Sequence, residues 1–253
     1  MGLNIRLFSV VLAAVFGLWL GGCASSDVEP APTDSATAPQ AVEEEILVQE
    51  SGSADSNLPV LEGTATVEFI VNGAPIVVEV DGNNAPVTAG NFVDLVNRGV
   101  YDGVSFHRVV KEPQPFVVQG GDPQSTDPSV PAQQLGTGSF TDPETNAPRY
   151  IPLEIKPAGA EEPIYGETFE MAQVSQAPEL KHTRGAVAMA RSQAVDSASA
   201  QFYFTLADLP FLDGNYAVFG YVTDGMDVVD NIQQGDRIES ARVVSGLDNL
   251  RAE

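Results

Sequence analysis

"VSFHRVVKEPQPFVVQGGDP", Val104 to Pro123, decides how the rest of the chain reads. Two β-branched and aromatic runs, "VSFHRVV" and "PFVVQ", flank a proline-broken connection, and a Gly-Gly-Asp-Pro turn closes the segment. Such runs between turn residues read as short strands. They place a histidine and an arginine, His107 and Arg108, in an apolar setting. Adjacent strand residues point to opposite faces. If Arg108 faces a groove, His107 faces away and is structural.

Outward from this stretch the pattern continues. "TATVEFIV" and "APIVVEV" flank Asn72-Gly73, a strong hairpin signal because both central positions tolerate positive φ. "APVTAGNFVDLVNRGVY" sets Ala89, Phe92, Val93 and Val96 on one helical face, with Gly99 as its C-terminal cap. "GAVAMA", "QFYFTL", "YAVFGYV" and "RIESARVV" read as further strands, and "TDGMDVVDNIQQG" as a second short helix with Thr223 at its N-cap. Many short strands with two helices predict a mainly β fold that closes on itself, not a parallel α/β sheet. From Pro123 to Leu180 the pattern weakens into a long, turn-rich segment, a length usually reserved for functional or mobile loops.

The remaining sequence is of a different kind. Arg6 precedes an apolar run of fourteen residues, Leu7 to Leu20, too short to span a bilayer comfortably. "LGGC" follows and resembles the lipobox of bacterial lipoproteins, in which the cysteine is lipidated and the peptide is cut before it. Cys23, the chain's single cysteine, stands at that position. Cys23 to Glu62 carries nine acidic residues with no Lys or Arg, in an Ala/Pro/Ser/Thr background without periodicity. That composition reads as a solvated tether. The expected organisation is a lipoprotein leader over 1–22, a lipidated cysteine and acidic linker over 23–63, and a folded domain over 64–253. The expected location is the cell envelope, anchored by lipid to a bacterial membrane with the domain facing the periplasm or another extracytoplasmic space.

The chemistry narrows by elimination. A net charge of −23 disfavours nucleic acid. The cysteine is committed to the leader, and the two histidines, His107 and His182, lie in no nucleophile motif. No close His/Asp/Glu spacing suits a metal, and no G-x-G-x-x-G precedes a helix. What remains is a cation, Arg108, among aromatic residues.

"FHRVV…FVVQGGDP" resembles the cyclophilins, the peptidyl-prolyl cis-trans isomerases, and the bacterial branch most closely. "TAGNF", "GAVAMAR", "AQFYFTL" and "FLDGNYAVFGYVTDGMDVVD" follow in family order, covering roughly Thr64 to Val244. The resemblance implies an eight-stranded antiparallel barrel capped by two helices, acting as a monomer without cofactor or metal on proline-containing segments of exported proteins. It implies that Arg108 is the catalytic donor and that Gln119 orients it. Phe116, Val117, Ala190, Arg191, Gln201, Tyr203, Phe211, Leu212 and Tyr216 would bind the substrate, and Phe106, two residues before Arg108 and so on the same face of the strand, is expected to join them. Val117, Tyr203, Tyr216 and Arg191 depart from the commoner Met, Phe, His and Asn. Phe211 stands where cyclosporin-sensitive members carry a tryptophan. Two other readings stay open from sequence: a peptide-binding chaperone or assembly module with little turnover, and a structural envelope lipoprotein.

Overall fold

The structure, a computed structural model, describes residues Leu58–Ala252. The leader, Cys23 and most of the acidic linker lie outside the described residues. Eight strands form one antiparallel sheet: β1 (Thr64–Val71), β2 (Ala74–Asp81), β3 (Arg108–Val110), β4 (Val117–Gly120), β5 (Ala186–Met189), β6 (Phe202–Thr205), β7 (Val218–Asp224) and β8 (Ile238–Ser245). Their order is β8-β1-β2-β7-β5-β6-β4-β3. The sheet curls, and its two ends meet just before β3 and β8. There Ser105 bridges Arg237, and backbone bonds run from Phe106 N to Asp236 O at 2.8 Å and from Ile238 N to Val104 O at 2.8 Å. Two helices, α1 (Pro86–Asn97) and α2 (Met226–Asn231), complete the eight-stranded, two-helix arrangement that the resemblance implied. No helix among the described residues is long and apolar enough to cross a membrane.

The first hairpin forms as its turn demands, with Asn72 at φ 52 and Gly73 at φ 73. Strict alternation follows: Ala65, Val67, Phe69 and Val71 are buried, and Ile76, Val78 and Val80 face them from β2. In β5 and β6 every residue is buried. Val187, Met189, Phe202 and Phe204 join the main core, whereas Ala186, Ala188 and Tyr203 join a second apolar cluster with Val117 and Val218 on the outer face. That outer cluster is the floor of a groove, so the sheet both holds the core and builds the site.

Helix α1 buries far more than one stripe: Val87 through Val96 are all buried. Its first turn has no side-chain cap of its own. The carboxylate of Glu154, 1% exposed, supplies one by accepting from the backbone N–H of Val87 at 3.1 Å and of Thr88 at 2.7 Å. Burial pushes the Glu154 carboxyl above its ordinary pKa. Gly99 takes φ +70 after the last turn, as the cap reading expected.

Three expectations are corrected. The described chain starts ahead of Thr64: Val60–Leu61 pairs antiparallel with Leu250–Arg251, tying the two ends of the domain together. The second helix begins later than predicted. Thr223 belongs to β7, and the turn into α2 is made by Gly225 at φ +80, where a Cβ would come within 2.3 Å of Pro75 O. The segment after Pro123 is not a bare loop. It contains a two-stranded sheet, Glu154–Ile155 with Ile164–Tyr165, and a small core of Leu153, Ile155 and Phe169 against Ala217.

Candidate active site

Cross-strand register assembles the groove. Arg108 lies opposite Gln119, Gln119 opposite Tyr203, and Tyr203 opposite Ala188. One row therefore crosses β3, β4, β6 and β5 on the outer face, and Val117 sits two residues along β4 on the same face. A cavity of about 230 Å³ opens over this row, lined by Arg108, Phe116, Val117, Gln119, Ala190, Arg191, Tyr203, Leu212 and Tyr216. All nine are residues that the sequence singled out. Val117 and Tyr203, with Phe116, Leu212 and Tyr216 packed against them, give it an apolar floor, and Arg108, Gln119 and Arg191 are its polar lining.

The guanidinium of Arg108 donates from Nη1 to Gln119 Oε1 at 3.3 Å and lies 5.4 Å from the Phe116 ring centre. Gln119 in turn donates from Nε2 to Gln201 Oε1 at 3.3 Å, and Gln201 donates to Gly138 O at 2.8 Å. The side-chain oxygens of both glutamines are thus occupied, and the chain sets the orientation of Arg108. No carboxylate touches this arginine among the described residues. Phe211, 66% exposed, lines neither this cavity nor the next one and stacks on the outside of Phe116 at 6.1 Å.

Gln201 belongs instead to a neighbouring cavity of about 400 Å³, which shares Gln119, Ala190 and Arg191 with the first. Its wall comes from the turn at 136–139. Asp122 of the Gly-Gly-Asp-Pro stretch fixes that turn, accepting from Gly136 N at 2.6 Å and Gly138 N at 3.2 Å. Gly121 has φ +88 and would drive a Cβ to 2.5 Å from Ala200 O, which explains glycine there.

Phe106 is corrected. It is 0% exposed and packs inside the barrel against Phe204 at 6.2 Å, so it does not face the groove. The regular strand begins only at Arg108, so alternation does not carry back to residue 106. His107 also lies off the cavity wall. Its ring is half-buried against Gly136, both ring nitrogens lack partners, and desolvation lowers its pKa, with Arg108 adding to the effect against the pull of Asp122.

Sequence reasoning missed a buried chain under the floor. His182, 2% exposed, meets Asp213 Oδ1 through Nδ1 at 2.8 Å and Tyr203 Oη through Nε2 at 3.0 Å. Burial lowers the His182 pKa although Asp213 opposes the shift, so the ring is neutral at neutral pH. Nδ1–H then donates to the carboxylate, and Nε2 accepts from the Tyr203 hydroxyl, whose own pKa is raised by burial. The only available signal was that Tyr203 carries a hydroxyl where a phenylalanine is common.

With this geometry in place the comparisons agree. The family model described as "Cyclophilin type peptidyl-prolyl cis-trans isomerase/CLD" matches residues 66–250, and the chain belongs to that family. A protein of Synechocystis sp. named as a thylakoid lumen peptidyl-prolyl cis-trans isomerase is 44% identical over 206 residues, covering 77% of this chain and 51% of the relative. This chain thus spans about half the length of that relative. A peptidyl-prolyl cis-trans isomerase of Helicobacter pylori is 32% identical over 189 residues, covering 74% of this chain and 91% of the other. The crystal structure of a Cryptosporidium parvum cyclophilin type peptidyl-prolyl cis-trans isomerase superposes with a TM-score of 0.51 at 23% identity, covering 72% of this chain and 98% of that one. It supports the fold.

Proposed function

We propose that the chain catalyses cis-trans isomerisation of X-Pro bonds in exported proteins, without a covalent intermediate. The single observation that carries this is the row Arg108–Gln119–Tyr203 opening on a cavity of about 230 Å³ in which Phe116, Val117 and Leu212 offer a seat to an apolar ring. An X-Pro amide turns slowly because C–N resonance raises a barrier of roughly 18–20 kcal/mol. In the twisted transition state the imide nitrogen regains a lone pair. A fixed guanidinium that stays charged can donate to it, and this interaction is made only in the transition state.

In this reading the ring of the proline sits on Phe116, Val117, Tyr203 and Leu212. Gln119 aims the arginine, and Ala190 and Arg191 border the peptide backbone. Residues 1–22 act as a leader, Cys23 carries lipid to a bacterial membrane, and residues 24–57 hold the barrel away from it in an extracytoplasmic space. The cysteine's place after "LGG" and the uninterrupted acidic tether support the anchor. The deciding experiment is an isomerisation assay on a proline tetrapeptide with residues 58–253. Acceleration above the spontaneous rate is expected. Binding without acceleration would leave a peptide-binding module instead.

A further inference from the structure

The groove departs from the charge balance of the rest of the molecule. The chain has 35 Asp and Glu against 12 Lys and Arg, yet among the described residues neither cavity is lined by a single carboxylate. Outside the groove, five arginines are neutralised: Arg98 and Arg149 by Asp94, Arg184 by Asp230, Arg242 by Asp102 and Arg251 by Glu62; Arg237, away from both cavities, is held by the backbone carbonyls of Gly103 and Ser125. Arg191, which lines both cavities, has only neutral partners among the described residues. It lies 4.8 Å over the Tyr216 ring and donates to Asn215 O from Nε at 3.1 Å and from Nη2 at 2.8 Å, and to Ser192 O from Nη1 at 2.9 Å. These contacts fix the plane of the guanidinium without cancelling its charge. Of its five N–H groups, one on Nη2 has no partner among the described residues and one on Nη1 has only a 3.5 Å contact to Gln193 O.

We infer that Arg191 is a specificity-determining residue, which makes the groove prefer proline segments with an Asp or Glu within two residues of the proline. The inference rests on the isomerase reading above and names its substrate class. A peptide whose proline fills the smaller cavity passes the shared wall of Gln119, Ala190 and Arg191. Two residues of extended chain reach about 7 Å, which brings a neighbouring side chain over the second cavity. That cavity offers hydroxyl-bearing residues, Thr137, Ser139, Ser192, Ser197 and Ser199, and the one cation. It suits a carboxylate and offers nothing to neutralise a lysine. The −23 net charge repels acidic peptides at long range, but at physiological salt the screening length is about 8 Å. The local contact with Arg191 then decides the preference.

The test uses the full chain in neutral detergent at physiological salt. Capped peptides with uncharged termini carry one proline and Gln, Glu or Lys at each of the two positions on either side. NMR exchange gives kcat/KM, and titration gives Kd on the same samples. At the best position Glu should exceed Gln by about two- to fivefold, the range of a partly exposed ion pair, and Lys should fall below Gln. Arg191→Gln should bring the Glu/Gln ratio to about one. Arg191→Lys should keep most of it, and Arg242→Gln, which removes a distant cation, should leave the ratio intact. A wild-type ratio at or below one at every position, or a ratio that survives in Arg191→Gln, overturns the inference. If the Gln peptide binds but is not accelerated, the isomerase reading fails, and the Kd ratios still decide the role of Arg191.

Discussion

Arg108 and Gln119 face each other across an antiparallel pair, with Nη1 of the arginine 3.3 Å from Oε1 of the glutamine. Backbone register therefore fixes the position of the cation, and the glutamine chain beyond it fixes its direction. A charged donor bond is worth about 1.5–3 kcal/mol. Arg108→Ala should lower kcat/KM by roughly 10- to 150-fold, at about 1.4 kcal/mol per factor of ten. His107→Ala should cost far less, because its ring lies off the cavity wall against Gly136. Kinetics on both variants, with folding checked by circular dichroism, tests the division. Equal losses would sink it.

The Asp213–His182–Tyr203 chain makes a pH prediction. The folded His182 pKa is depressed, so the unfolded chain takes up the proton first as pH falls. Its contribution to stability is complete above the unfolded value of about 6.5 and is lost as pH falls from there through the folded value. Glu154, shifted the other way, favours the folded state at low pH, and His107 is shifted like His182. Both effects cancel when wild type is compared with His182→Gln. That variant should be about 1–3 kcal/mol less stable at pH 7.5, since it disturbs the buried partners of Tyr203 and Asp213. The gap in Tm should narrow toward pH 5. A gap that stays constant or widens would contradict the neutral, buried histidine.

Glu154 is a helix cap supplied from 66 residues away, at Thr88, and 67 at Val87. Removing it strands two buried N–H groups at the positive end of α1. Glu154→Ala should cost about 2–4 kcal/mol, and Glu154→Gln less, because an amide oxygen can still accept one bond. Urea unfolding reads both values. A cost under about 0.5 kcal/mol for the alanine variant would show that solvent satisfies those amides.

Much of this was legible in the sequence for a physical reason. Alternation in β1 and β2, the Asn72-Gly73 turn and the face of Ala89, Phe92, Val93 and Val96 are local signals, and the structure follows them. The groove residues were legible because the resemblance supplied a register that composition cannot. Phe106 misled because it precedes the strand by two residues, where the chain no longer alternates. Glu154, His182 and Asp213 act across long sequence separations, and no local pattern marks a carboxylate as another element's cap. The wall at 136–139 was hidden for the same reason: tertiary contacts with Asp122 and Gln201 order it.

The anchor is tested apart from the barrel. Stable membrane attachment generally needs more than one acyl chain. Cys23→Ser removes the lipid acceptor and should release the protein from salt-washed membranes while isomerase activity is retained. A variant that still pellets after the wash would rule out lipid attachment at Cys23.

Phe211 gives the last prediction. It lies in the turn Pro210–Leu212, is 66% exposed, and stacks on Phe116, which lines the cavity beside Arg108. Cyclosporin-sensitive cyclophilins carry a tryptophan at the matching place, whose indole N–H donates to the macrocycle. Phenylalanine offers the same flat face and no donor. An acceptor on the ligand is then desolvated without a partner, at a cost of about 1–3 kcal/mol. Inhibition should therefore be roughly ten- to a hundredfold weaker than in tryptophan-bearing members. Arg108, Val117 and Tyr203 line the cavity and Phe211 does not, so turnover should not depend on the missing donor. Phe211→Trp should recover part of the affinity and raise kcat/KM little. An inhibition titration on the two proteins decides the matter: wild type as sensitive as a tryptophan-bearing member, or a tryptophan variant with unchanged affinity, would show that Phe211 does not border the ligand.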